Sequence, residues 1–317
     1  MGEPLVSVII NNYNYDRFLK EAIDSALGQN YKNKEIIVVD DGSTDKSREI
    51  IESYGDRIIS VFKENGGQAS AMNAGFKLSK GEWICFLDSD DVWLPEKISK
   101  IVEKAKENPD AIMIYHKVQQ ISSEGKPFGK PIPSRLFRGN IERMVLKSGG
   151  WWMFPPNSAN CFRRDFMERV MEIPEDEFKI CADSYLADLA PFFGKIDFVD
   201  KVLALYRLHG TNYWNREENM KEGWESIIPY LRKKYKMYEI RVKILNLSLE
   251  KFGFEKKVSL ENHWPYQRLR FLLGEDISLS EICLNAINFP FHKTIYEKLR
   301  VVAWIFKILF LKRRLKN

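Results

Sequence analysis

The chain has 317 residues, 44% of them hydrophobic and 29% charged, with a formal net charge of +5. That length can bury a large core and suits one large domain with an appendage, or two domains. The charge is mild and residues 1–200 show no basic stripe interleaved with aromatics, which argues against a nucleic-acid partner; no apolar run approaches the ~20 residues that span a bilayer.

Leu5–Ile10 is a β-branched run that reads as a buried strand, followed by the polar loop Asn11–Asn14. Phe18, Ala22, Ile23, Ala26 and Leu27 recur at helical spacing, so Tyr15–Leu27 is a predicted helix. Glu35–Val39 is a second buried strand ending in Asp40-Asp41-Gly42-Ser43-Thr44-Asp45, a sharp turn with helix-capping residue types. A helix to about Tyr54, a strand at Ile58–Phe62, the turn Glu64–Gln68 and a small-residue helix Ala69–Leu78 come next. Glu82–Leu87 then runs into Asp88-Ser89-Asp90-Asp91. Strands alternating with helices imply an α/β fold with a doubly wound, mostly parallel sheet. Such sheets bind ligands at the carboxyl ends of their strands. Asp40, Asp41, Asp88, Asp90 and Asp91 all follow strands, so they should gather at one edge, where carboxylates can share a hard divalent cation with substrate phosphates.

Leu94–Glu107 is a helix with Pro95 in its first turn. Ala111–Ile121 is strand-like, Ser122–Arg138 reads as an exposed, mobile loop, and Asn140–Lys147 is a short helix. The aromatic stretch Gly149–Asn160 carries Trp151, Trp152 and Asn157. These suit the acceptor side, with tryptophans either stacking on sugar rings or packing in a core. Cys161–Arg163 enters another strand, Asp183 opens a helix, and Phe198–Arg207 is a last strand leading to Leu208-His209-Gly210. Near Tyr213 the composition turns helical and basic, with helices expected at Trp214–Tyr235 and Met237–Phe252 and a domain boundary at about residue 215.

Val6–Asn14, Glu35–Asp45 (E-I-I-V-V-D-D-G-S-T-D), Glu64–Gln68 (E-N-G-G-Q), Phe86–Asp91 (F-L-D-S-D-D), Ala182-Asp183 and Leu205–Gly210 (L-Y-R-L-H-G) together resemble glycosyltransferase family 2, with the GT-A nucleotide-sugar fold. The resemblance covers roughly residues 5–212. It implies an inverting, metal-dependent transferase that moves a sugar from a nucleotide-diphosphate donor, a UDP-sugar by expectation, to a saccharide or lipid-linked saccharide acceptor in cell-surface polysaccharide or glycan synthesis. Asp40 would hydrogen-bond the uracil. Asn11, Tyr13 and Asn14 would line the base and ribose, with Gly67 and Asn73 also assigned to the nucleotide. Asp88 would hold the ribose or a metal-bound water. Asp90 and His209 would hold Mg²⁺ or Mn²⁺ on the diphosphate, and Asp183 would be the general base. The family's frequent Glu-Asp is Ala182-Asp183 here, and Ala71-Met72-Asn73 stands where relatives often carry Arg. The Q-x-x-R-W signature of polymer-making relatives is absent, which implies transfer of one sugar per encounter.

The tail Val301–Leu311, with Arg300, Lys307 and Arg314 spaced by seven, has the make-up either of an interfacial membrane helix spanning residues 298–316 or of one packed on its own domain or in a homo-oligomer. Scattered Cys85, Cys161, Cys181 and Cys283 and a start without a basic leader suit a cytoplasmic protein, peripheral on the inner membrane face in the first case. Two other readings of the fold are a sugar-nucleotide pyrophosphorylase, whose Gly-rich loop with Arg and Lys is replaced here by Asn11–Asn14, and a non-catalytic carbohydrate-binding scaffold.

Overall fold

The structure is a computed structural model that describes residues 2–210, 224–292 and 294–314. In chain order its elements are β1 (Val6–Asn12), α1 (Asp16–Leu27), β2 (Lys34–Asp40), α2 (Ser47–Glu52), β3 (Ile59–Phe62), α3 (Gln68–Leu78), β4 (Trp83–Asp88), β5 (Val92–Trp93), α4 (Lys97–Glu107) and β6 (Ala111–Ile121). There follow α5 (Glu142–Lys147), β7 (Asn160–Arg163), α6 (Arg164–Val170), α7 (Asp183–Phe193), β8 (Lys195–Arg207), α8 (Trp224–Lys251), α9 (Trp264–Leu273), α10 (Leu279–Asn288) and α11 (Ile295–Arg314). They fall into two compact units: Met1–Ile141 with Met153–Tyr213, and Glu142–Trp152 with Trp214–Asn317. The boundary expected at residue 215, and residues 214–223 of the first helix expected beyond it, lie outside the described residues.

In the first unit the eight strands form one sheet in the order β3-β2-β1-β4-β7-β6-β8-β5. β1 to β4 are parallel, as their alternation with helices predicts. The sheet is mixed beyond them: β7 runs antiparallel to both β4 and β6, β6 and β8 are parallel, and β5 is antiparallel to β8. Val8, Ile9 and Ile10 of β1, Ile37 and Val38 of β2, and Cys85, Phe86 and Leu87 of β4 have no solvent exposure. Strands with both faces covered read as continuous apolar runs rather than alternating ones, and each such Val or Ile contributes about 1.5–3 kcal/mol. α3 lies close on this sheet because Gly75 has no side chain: a Cβ there would stand 2.5 Å from Ile9 Cγ2. The 122–138 stretch, expected to be mobile, is tethered to β6 by bridges Val118–Ile132 and Ile121–Pro127.

The second unit is helical. α8 is one helix where two were expected; Tyr235-Lys236-Met237 contains no breaker, and Pro229 is accommodated within it. Leu231 of α8 packs with Leu269 and Leu272 of α9, flanked by Tyr230, Tyr235, Tyr238 and Trp304. α9 begins at His263, whose Nδ1 accepts the Tyr266 N–H; burial pushes this imidazole's pKa down to about 3, so it caps the helix as the neutral base. Of the two roles open to the tryptophans, sugar stacking or core packing, both rings take part in this unit's packing. Trp152 is only 1% exposed, and the half-buried Trp151 ring lies 5.3 Å from Phe289 and 5.0 Å from Phe291. An indole buries 150–250 Å² at about 25 cal/mol per Å², which favours the core over an open platform.

Candidate functional site

The register of the parallel strands sets the site. Asn11 of β1 is the partner of Asp88 at the end of β4, and Asn12 is the partner of Asp40 at the end of β2. Three adjacent strand ends therefore present two asparagines between two carboxylates. Asp40 Oδ1 accepts from Asn12 Nδ2 (2.9 Å) and Ser43 Oγ (2.6 Å), and its Oδ2 from the Ser43 N–H (3.1 Å). Asn14 latches the two loops on this side, taking the Thr44 N–H on its Oδ1 at 2.7 Å while its own N–H donates to Ser43 Oγ. Its φ of 56° is a left-handed conformation that Asn tolerates better than most residues. Tyr13 beside it is 47% exposed.

Asp88 Oδ1 is the meeting point of three side-chain amides: Asn157 Nδ2 at 2.8 Å, Asn11 Nδ2 at 3.2 Å and Gln68 Nε2 at 3.4 Å. Burial, and then the charge of Asp90, push the Asp88 carboxyl up to about 6, against the pull of the three amides. Asn157 was assigned to the acceptor because it follows the tryptophans. It lies in this cluster around Asp88, 2% exposed, on the turn Asn157–Ala159.

Asp91 stands apart from α4, which starts only at Lys97. It is fully buried, accepting from Ser158 Oγ at 2.5 Å and from the Arg207 N–H at 2.8 Å. Burial and its neighbours Asp90 and Asp88 hold its pKa well above the usual carboxylate range. Arg207 completes the clasp: Nε donates to the Asp90 carbonyl (2.8 Å), Nη2 to Glu21 (2.5 Å), and the guanidinium lies 4.8 Å from the Phe18 ring centroid. The acidic turn is thus fastened to β8. Asp90 is held where its Oδ2 stands 3.0 Å from His209 Nε2, and the His209 ring is wedged by Tyr15 and Phe18.

Asp183 is the first residue of α7 and is half-buried. Gln68 links its turn to Asp88: Gln68 Oε1 accepts the Ala182 N–H at 3.0 Å while Nε2 reaches Asp88. Tyr206 marks the same convergence. After burial, Asp91, Asp90, Asp88 and Asp183 all push its phenol pKa upward. Cys181, two residues before the base candidate, has φ 58°, a strained conformation for a residue with a Cβ, as functional turns often carry. Cys161 is buried in the core, whereas Cys181 is only partly buried.

Gly67 and Asn73, the two other residues assigned to the nucleotide, each have partners within the protein. Gly67 donates its N–H to Asp41 Oδ2 at 2.7 Å, and at φ 90° it abuts Lys179, whose Cα would lie 2.7 Å from an added Cβ. It is glycine so that two chain segments can touch. Asp41, which also binds Lys63 Nζ at 2.7 Å and the Gly66 N–H at 3.0 Å, thereby pins the Gly66-Gly67 turn. Asn73 is 2% exposed and bonded to the backbone of Ile173 and to Glu175, a tie between α3 and the segment after α6. Gln68, Asp91, Ser158, Arg207 and Tyr206 were not assigned from sequence. The placement of Gln68 directly after the paired glycines was the available signal; nothing local marks Ser158.

Among the described residues no group of three His, Cys, Asp or Glu side chains gathers as a metal site. The pair Asp90–His209 still suits a divalent cation that draws its other ligands from phosphate and water, as Mg²⁺ usually does. Crowded, buried carboxylates with raised pKa are the environment such a charge would relieve.

The family model for Glycosyl transferase family 2 matches residues 7–170. An uncharacterised glycosyltransferase of Nostoc sp. is 32% identical over 310 residues, covering 95% of this chain and 94% of that protein. Bacillus subtilis EpsJ, also described as an uncharacterised glycosyltransferase, is 42% identical over 221 residues, 64% of this chain and 61% of its own. Among solved structures, S. aureus TarS 1-349 in complex with UDP-GlcNAc aligns with a TM-score of 0.57 at 17% identity, covering 98% of this chain and 92% of the other. The mannosyltransferase PcManGT from Pyrobaculum calidifontis, in complex with GDP-Man and Mn2+, aligns at 0.51 and 14%, covering 98% and 81%.

Proposed function

The chain belongs to glycosyl transferase family 2 and has the GT-A fold, and on that premise we propose that it moves a single sugar, with inversion, from a UDP-sugar to a hydroxyl of a saccharide or lipid-linked saccharide. The observation that carries this reading is the Gln68 bridge between Asp88 and the Ala182-Asp183 turn. It puts a donor-side carboxylate and a candidate base at one mouth of the sheet. Neither a pyrophosphorylase nor a bare scaffold needs that pairing.

On this reading Asp40 keeps acceptor capacity for the uracil N3–H, since a carboxylate offers about four lone-pair sites and three are used. The exposed Tyr13 ring is placed for the base. Asp88, its Oδ1 committed to three amides, offers Oδ2 to a ribose hydroxyl. Asp90 and His209 would hold the Mg²⁺ or Mn²⁺ that accompanies the diphosphate, which supplies electrostatic stabilisation of the leaving group. Asp183 takes the proton of the acceptor hydroxyl as its oxygen bonds to the anomeric carbon. The carbon–oxygen bond to the diphosphate breaks on the opposite face, and one displacement inverts the centre. An α-linked donor gives a β-linked product.

The direct test is ligand-dependent melting with UDP, GDP and their sugars, with and without Mn²⁺. UDP with Mn²⁺ at about a hundred times its Kd should stabilise by roughly 2.7 kcal/mol, several degrees in Tm. Absence of stabilisation by every nucleoside diphosphate would overturn the proposal; a response to GDP alone would reassign the base.

Gln68 acts in this scheme as a positioning residue. Gln68→Ala strands the Ala182 N–H and frees the turn that carries Asp183, at a cost of about 1–3 kcal/mol for the orphaned donor. The expected result is a kcat about tenfold lower with donor Kd changed less than threefold. Unaltered kcat would show that the bridge does not orient the base.

A further inference from the structure

α11 presents to solvent a surface that the transfer reaction does not use. Ile295 is 73% exposed, Tyr296 71%, Leu299 60% and Phe306 53%, and Ala303 is exposed between them. At about 100° per residue these five side chains share one arc of about 100° on the helix. Along one edge of that arc lie Arg300 and Lys307, both exposed and spaced by seven. The opposite face is the packed one: Ile305 is fully buried, and Trp304 lies 4.6 Å under the Arg268 guanidinium beside the α8–α9 cluster. Trp304 is therefore turned inward. α10, which packs on α11, adds exposed Leu284 (58%) and Ile287 (40%).

The charges around this surface choose its occupant. Over its length α11 carries Lys298, Arg300, Lys307, Lys312, Arg313 and Arg314 against Glu297 alone. Glu297 is occupied at the N-terminus in a reciprocal pair of hydrogen bonds with Thr294. The exposed sector thus holds cations and no carboxylate. A second copy docked there would set like charges together with nothing to answer them. We propose that α11 seats the protein on the surface of a bilayer containing anionic phospholipid, with Ile295, Leu299 and Phe306 entering the acyl boundary and Arg300 and Lys307 on the headgroup phosphates. No described helix is long and apolar enough to cross a membrane, so the contact lies in the interface. This inference does not rest on the donor or on Asp183, and its failure would leave the transfer reading untouched.

Flotation of the full chain with phosphatidylcholine vesicles, with and without about 30% phosphatidylglycerol, tests it. At about 0.1 M salt the protein should float with the anionic vesicles and lose most of its binding at about 1 M, where charges more than ~3 Å apart are screened. The double variant L299E/F306E should lose binding at least tenfold. R300Q/K307Q, which leaves the apolar arc intact, should lose about fivefold per cation on anionic vesicles only. Melting temperatures matching wild type exclude unfolding as the cause. The proposal is overturned if wild type does not float, if L299E/F306E floats as well as wild type, or if wild type elutes as a dimer that L299E/F306E splits to monomers.

Discussion

Asp183→Asn should lower sugar transfer by a factor of about 10²–10⁴ while leaving donor affinity within about threefold of wild type. The carboxamide keeps the shape of the carboxylate and cannot take a proton from the acceptor hydroxyl. Its position makes the variant informative. Asp183 opens α7 and is half-buried, and the attraction of its charge for the helix N-terminus is about 0.3–1 kcal/mol. Melting should shift by a few degrees at most. Donor binding and turnover are measured separately, by Mn²⁺-dependent thermal stabilisation and by UDP release with acceptor present. A variant that retains a tenth or more of wild-type turnover would remove Asp183 from the base role. The proton acceptor would then have to be sought elsewhere around Tyr206, on which Asp88, Asp90 and Asp91 also act.

The second large effect is expected at Asp90. Its side chain meets His209 at 3.0 Å, and its carbonyl is clamped by Arg207, so the carboxylate is presented by a fixed turn. Asp90→Asn removes the anionic ligand proposed for the cation while keeping the turn. The Mn²⁺-dependent part of donor stabilisation should vanish, and kcat/KM should fall by about 10²–10³, or roughly 3–4 kcal/mol of lost charge stabilisation. Chelation of wild type should reproduce the loss, and added Mn²⁺ should restore wild type but not the variant. Should the variant keep its response to Mn²⁺, or wild type be indifferent to chelation, the cation would be held elsewhere or not needed.

Much of the site was legible because its parts are strand ends. Continuous apolar runs at Leu5–Ile10, Glu35–Val39 and Glu82–Leu87 predict buried parallel strands, and parallel strands put their carboxyl ends on one edge. The pairing of Asn11 with Asp88 and of Asn12 with Asp40 follows once β1 lies between β2 and β4. The direction of β7 was not legible: Cys161–Arg163 reads as a strand, but whether it runs with or against β4 is decided by the long connection before it. Asn157 shows the same gap at the scale of one side chain. In sequence it neighbours Trp151 and Trp152; in space the chain leaves the helical unit at Met153, and Asn157 turns to an oxygen of Asp88 69 residues away.

Motifs spread over residues 5–212 carried the family resemblance, and the sequence by itself determined the α/β character of the first unit, the acids at the ends of its strands and the basic, helical nature of the second. Each is written in local order: apolar period, turn residues and charge spacing within a few turns. Only the tertiary structure decided which polar group answers which. Asp91 is part of a clasp because Arg207, 116 residues on, supplies its donor. Gly67 meets Lys179, Asn73 meets Ile173, and Trp304 faces its own unit, where Arg268 lies over it. A buried polar group must find a partner or lose about 1–3 kcal/mol, and long-range packing alone sets which partner stands within reach.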